Sequence, residues 1–461
     1  MPSSFILTHQ MKTLAAFAVA LLVLPGFSAE EENKKERASL DGVLFDAGLW
    51  TKTLQEVKGP EPELSESDLA RVAKAKEKGM TLKFHEDGFS WLSGAKDGLR
   101  ATPGEFKLLD EEVGEVVMRG REGKPVEATV SVYNRGDDGE ISSSDFEKKM
   151  ALWKEKLDKK LETRSVPRAQ QGTVAMTGWT WKKGDTGVVL EGSINKSEKR
   201  VEFLRLRVLS LSAAKSEPKT MARRGTFAAN VKKDSDGFTW IQGVPMVDQG
   251  EKGYCVVASI ERVTRYFGAD MDQHEMAQLA NTSDRGTSGD AMEKAFQRVT
   301  GKVHLRTLKH IEFDMKQMEK DIRGYNRIAK QKSVKTFDED PREFNIDPRY
   351  FWQEVNKDAF REMKRGQPTY EHFERKIKEY VDQGIPLCWT LYLGMFKEKD
   401  IPQIGGGHMR LIIGYNFDSP NPEEHKIYYT DSWGEGHEKK IMRTDEAFCM
   451  TMAMYSMLPN K

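Results

Sequence analysis

The sequence predicts an α+β protein, and three observations carry that prediction. In the first half, short runs of alternating apolar and polar residues are separated by turns containing Gly and Asp, a pattern of antiparallel strands. In the second half the order is helices first and antiparallel strands after, which separates the two kinds of element along the chain. Between them, residues 244–267 pass from an extended segment through a Gly-rich turn into an apolar helix with Val256, Ile260, Val263 and Phe267 at helical spacing.

A chain of 461 residues suits two or three domains. Its 72 basic and 72 acidic residues cancel, so electrostatics gives no case for nucleic acid or a membrane surface as the main partner. Cys255, Cys388 and Cys449 are the three cysteines, too few for a disulfide scaffold. Cys388 and Cys449 lie in apolar contexts and read as buried thiols; the alternative is one bridge between them that leaves Cys255 free.

Taken in order, the chain opens with Met11-Lys12, an apolar run over 14–24, and a small-x-small site at Gly26-Phe27-Ser28 before acidic residues. The run is too short to span a bilayer and reads as a secretory signal, residues 1–29, so the mature protein is expected to be exported and free of the membrane. Residues 30–37 are a charged lead. A capped helix runs from Ser65 to about Lys78 and ends at Gly79. Strands are expected at 81–84, 106–109, 115–118 and 126–133. Residues 145–162 form an amphipathic helix that places Phe146, Met150, Trp153, Leu157 and Leu161 on one face. Strands resume at 173–181, 187–192 and 200–211. Together these make a β-rich N-terminal domain, residues 30–212, followed by a polar linker, 213–236.

Two features of this half are weaker. Residues 134–145 imitate a calcium-binding loop, but Gly136 replaces a ligand and Asp145 is short for the closing position. An acidic turn leading into a helix capped by Ser143 or Ser144 explains them more simply. The form G-aromatic-S/T-W recurs at Gly88, Gly178 and Gly237, most simply as a strand start under a core aromatic.

The C-terminal domain, residues 237–461, begins with the 244–267 stretch. Cys255 stands where its helix starts. The positive end of the helix dipole and free backbone N–H groups there favour a thiolate, the reactive form of the residue. Helices follow at 271–280 and 288–299, then a charged helical insertion, 311–380, broken at Pro341, Pro348 and Pro368. Strands are expected at 385–392, 409–414, 426–430, 440–443 and 448–455.

The stretch Q-G-x-x-G-Y-C-x-x-A-S, from Gln249 to Ser259, resembles the nucleophile motif of papain-like cysteine peptidases and, more loosely, of the bacteriocin-leader-processing peptidases. Two later stretches fit in the family's order. Gly405-Gly406-Gly407-His408 followed by Met409 to Tyr415 is similar to its glycine-preceded histidine strand. Asp431-Ser432-Trp433-Gly434 is similar to its N-S-W-G motif, with Asp where the family usually has Asn. The resemblance covers the chain from about Gly237 onward. It implies a papain-like fold with the site in a cleft between a helical and a β part. It also implies peptide-bond hydrolysis: Cys255 as nucleophile, His408 as proton carrier, Asp431 orienting the imidazole, and Gln249 with the Cys255 N–H facing the oxyanion. Trp433 is expected to cover the histidine–aspartate contact from water. No cofactor or metal is called for, and the expected partner is a protein or peptide. A silent papain-like scaffold and an acyl transferase using the same residues remain alternatives. The N-terminal domain is read as either an inhibitory pro-segment or a substrate-docking unit. His274, His425 and His437 lack comparable context, and the last two read as solvent-facing.

Overall fold

The computed structural model describes residues 37–60, 65–77, 88–168, 174–216, 224–269, 271–282, 305–337, 348–399, 401 and 405–459. The segment read as a signal, the strand expected at 81–84 and the helix expected at 288–299 lie outside them.

Helices and antiparallel sheets combine in an α+β architecture with, among the described residues, two large hydrophobic cores and a small cluster around Val174, Met176 and Phe203. The first eight-stranded sheet has the order Ser90–Trp91, Gly98–Ala101, Val116–Arg121, Lys124–Asn134, Arg200–Ser210, Thr186–Asn195, Met176–Lys183 and Val166–Pro167. Its alternating residues bury one face under the helix Ser143–Leu161, which contributes Phe146, Met150, Trp153, Leu157 and Leu161 to the core. Ser142, rather than Ser143 or Ser144, caps that helix by accepting from the Asp145 N–H at 3.1 Å. In the acidic stretch before it, Asn134 caps a short helix, Arg135–Asp138, and the Asp138 carboxylate accepts the Asn134 N–H at 2.7 Å. These acids shape a turn. A small sheet of Ala38–Ser39, Phe106–Leu108 and Glu111–Glu112 lies beside this layer.

The second eight-stranded sheet runs Val231–Lys233, Thr239–Ile241, Gly406–Asn416, Leu387–Leu393, Thr451–Pro459 and Leu305–Glu312. Lys426–Thr430 also pairs with Gly406–Asn416, and Lys440–Arg443 pairs with Lys426–Thr430. Three expectations need correcting here. The stretch read as linker, 213–236, already contributes Phe227 to the second core and Val231–Lys233 to the second sheet. Residues 305–312 are a strand paired with Thr451–Pro459, so the helical insertion starts after it, at Met315. Residues 448–455 are the end of a helix, Thr444–Met450, and the start of that strand; every one of Phe448, Cys449 and Met450 is buried, which hides the helical period.

The insertion folds as helices Met315–Gln331, Pro348–Glu354, Lys357–Arg365 and Pro368–Val381. Gly384, with φ +72°, turns the last of them into Leu387–Leu393. A Cβ at Gly384 would lie 2.0 Å from the Phe227 carbonyl oxygen, so only glycine fits.

Candidate active site

Residues 256–264 of the helix Cys255–Tyr266 are all buried, the polar Ser259, Glu261, Arg262 and Thr264 among them. Such a helix sits inside a core rather than on a surface. Cys255 is its first residue and is partly exposed, while the N-cap Tyr254 makes no side-chain cap. First-turn N–H groups beside the thiol are therefore open to a ligand. Ser259, one turn on, donates to the Met409 carbonyl at 3.4 Å and ties the helix to the strand Gly406–Asn416.

Strand alternation puts His408 and Arg410 on one face of Gly406–Asn416. Its neighbour pairs Thr430 with Leu411, so Asp431 arrives beside both. His408 Nε2 is 2.7 Å from Asp431 Oδ1, in a fully buried pair. That leaves Nδ1 on the other side of the ring, and the charge of Cys255 is coupled to the imidazole. Trp433 stacks on the imidazole with centroids 4.6 Å apart and an interplanar angle of 26°.

The Asp431 carboxylate is saturated. Oδ1 also accepts the Ser432 N–H at 2.8 Å, and Oδ2 accepts Arg410 Nε at 2.7 Å. Arg410 in turn donates to Glu398 at 2.8 Å, and Glu398 accepts the Tyr429 hydroxyl. Burial pushes the His408 imidazolium down, but the charge of Asp431 and then that of Cys255 overcome it and lift His408 to about 9. Burial pushes Asp431 up, but His408 and Arg410 hold it well below the usual carboxylate range. The arrangement keeps a protonated imidazole between an anionic carboxylate and a sulfur.

Gln249 is buried and fixed on three sides. Its N–H donates to the Ser432 carbonyl at 2.8 Å, its side-chain oxygen accepts from Ser432 Oγ at 2.7 Å, and its side-chain nitrogen donates to the Lys252 carbonyl at 3.0 Å. A primary amide has two N–H donors, so one is left for an incoming oxygen. The structure thus brings His408 and Asp431 into one hydrogen-bonded pair that is charge-coupled to Cys255, and Gln249 joins it through Ser432.

Sequence reading missed three residues that hold this site. Arg410 is fully buried inside an apolar run, and a charge two residues after His408 on the same face is the signal that could have found it. Arg262, seven residues after Cys255, donates to the carbonyls of Pro245 and Asp431, both at 2.8 Å, and to Thr430. It fastens the cysteine helix to the aspartate strand. Lys252 has only 2% of its side chain exposed and pairs with the N-terminal half. The two histidines read as solvent-facing are not. His425 bonds Glu374 and the Ser419 carbonyl, both at 2.7 Å, and His437 is buried with its ring edge-on to Trp433.

Compared with known proteins, residues 241–340 match the model of the Peptidase_C39 like family. The match takes in the Cys255 loop and helix and ends before His408 and Asp431. It supports a papain-like cysteine peptidase fold in the C-terminal half. No curated protein matches the chain significantly.

Proposed function

We propose that the chain, with its papain-like C-terminal half, is a thiol-dependent peptidase that hydrolyses peptide bonds through Cys255, His408, Asp431 and Gln249. The observation that carries this reading is the buried 2.7 Å contact of His408 with Asp431, with the ring also coupled to the charge of Cys255 at a helix start that has no side-chain cap.

Cys255 attacks the peptide carbonyl carbon as a thiolate. A C–S bond forms, and the carbonyl π pair moves to oxygen. The free N–H of Gln249 and the backbone N–H of Cys255 meet that oxyanion. The His408 imidazolium gives its proton to the amide nitrogen, the C–N bond breaks and the amine leaves a thioester. Water then attacks the thioester, His408 takes its proton, and the C–S bond breaks to release a carboxylic acid and restore the thiolate. Asp431 fixes the ring and favours its charged form. Export through the N-terminal apolar run belongs to the same proposal.

The test is alkylation of the purified full chain with iodoacetamide at about pH 5.5, where an ordinary thiol of pKa about 8.5 is protonated and slow. Cys255 should label fast and alone, and His408→Ala should abolish this. Equal slow labelling of all three cysteines would instead favour a silent scaffold.

A further inference from the structure

The loop that leads into Cys255 is fastened to the N-terminal half as firmly as to its own. Lys252 Nζ lies 3.1 Å from Glu115 and 2.8 Å from Asp137. Arg100 joins Glu115 at 3.0 Å to Asp248 at 3.2 Å. Tyr254 Oη is 3.4 Å from Asn134 Oδ1. Packing there is close: a Cβ at Gly136 would lie 2.6 Å from the Tyr254 hydroxyl.

Arg100, Glu115 and Asn134 sit on or beside three neighbouring strands of the first sheet, so their geometry is set by a sheet and not by a loose tail. Asp248 and Lys252 bracket Gln249. The same interface extends to the helix Gln273–Ala280, where Arg205 meets Asp272 at 2.7 Å and Glu275 at 2.9 Å. A cavity of about 60 Å³ lies behind the loop, lined in part by Glu115, Asp248, Arg205, Gln273 and His274. Room for a few waters there means that the directional charge pairs, more than tight apolar packing, fix the loop.

We propose that the N-terminal half is a permanent part of the active site, with Glu115 and Arg100 as positioning residues that hold the 248–254 loop and, through it, the oxyanion-facing N–H groups of Gln249 and Cys255. The inference rests on the peptidase reading. It separates two roles that the sequence left together. An inhibitory pro-segment leaves an intact nucleophile loop when it is removed. Here removal takes away Glu115, Asp137 and Arg100, the charge pairs that orient the loop through Lys252 and Asp248.

The experiment compares the full chain with its Glu115→Gln variant using two reagents. Iodoacetamide at about pH 5.5 reads the Cys255–His408 pair and needs no oxyanion contact. Acylation by p-nitrophenyl acetate, followed by p-nitrophenolate release and the mass of the acetylated Cys255 peptide, needs the oxyanion donors. Glu115→Gln should slow acylation by roughly tenfold or more, since a misplacement of about 1 Å costs on the order of a hundredfold. Alkylation of Cys255 should stay within about twofold, Cys388 and Cys449 should stay unlabelled, and Glu115→Asp should recover most of the acylation rate. Unchanged acylation overturns the inference, and so does a faster reaction with either reagent, which marks an inhibitory segment. If Glu115→Gln does not fold, Asp137→Asn, which leaves Glu115 in place, should give a smaller loss in the same direction, and no loss there counts against the inference. A wild-type chain inert to both reagents fails the peptidase reading itself.

Discussion

The charge on Asp431 is the quantity most open to test. Asp431→Asn keeps the size of the side chain and an oxygen facing His408 Nε2, and removes the charge together with the bond that Oδ2 accepts from Arg410. In the wild type that charge is the first influence raising His408 to about 9 against the pull of burial. From the ordinary 6.5 to about 9 corresponds to roughly 3 kcal/mol, or a proton held about 300-fold more tightly. With the charge gone, Cys255 alone opposes burial, and His408 falls from about 9 back toward its ordinary value. The consequence for stability has a definite sign. The folded wild type holds the His408 proton more tightly than the unfolded chain, so this contribution is fully present below pH 6.5 and fades as pH rises through about 9. In the variant most of that contribution is absent, so stability changes less as pH rises from 6.5 through 9. Thermal unfolding midpoints between pH 5.5 and 9.5 should therefore fall less steeply with pH in the variant than in the wild type, alongside iodoacetamide labelling of Cys255 at pH 5.5 that is at least about 100-fold slower in the variant. Parallel midpoint curves together with equal labelling rates would refute the reasoning.

Other perturbations have equally definite outcomes. Arg410→Met leaves Asp431 and Glu398 buried with a cation removed between them, and should cost about 3–5 kcal/mol in urea unfolding. Gly384→Ala meets both a φ of +72° and the Phe227 carbonyl, and should lower stability by at least about 2 kcal/mol in the same assay. Burial pushes the Cys388 thiol up to about 12 and raises Cys449 further, so neither should react with iodoacetamide at pH 8 until denaturant is added, as mass mapping will show.

What the sequence made legible follows from how local each signal is. The start of the cysteine helix could be placed from the glycines before it and the apolar period after it, and the structure begins that helix at Cys255 itself. The histidine strand was legible because glycines precede an apolar run. Arg262, Arg410 and Lys252 were not, because a charged residue type ordinarily signals solvent. Their partners are also remote: Lys252 meets Glu115 across 137 positions of chain, and Arg262 meets Asp431 across 169. The strand Leu305–Glu312 escaped for a related reason. All of its residues but Leu305 are exposed or partly buried, so its alternation is faint, and its pairing with Thr451–Pro459 is what makes it a strand.

That pairing also bears on when activity can begin. Thr451–Pro459 is an interior strand, flanked by Leu387–Leu393 on one side and Leu305–Glu312 on the other. It leaves the ribosome about 200 residues after Cys255. At about 5–20 residues per second, the thiol exists for roughly 10–40 s before the sheet that presents His408 can close. The order of synthesis therefore separates the making of the thiol from the completion of the sheet that carries His408.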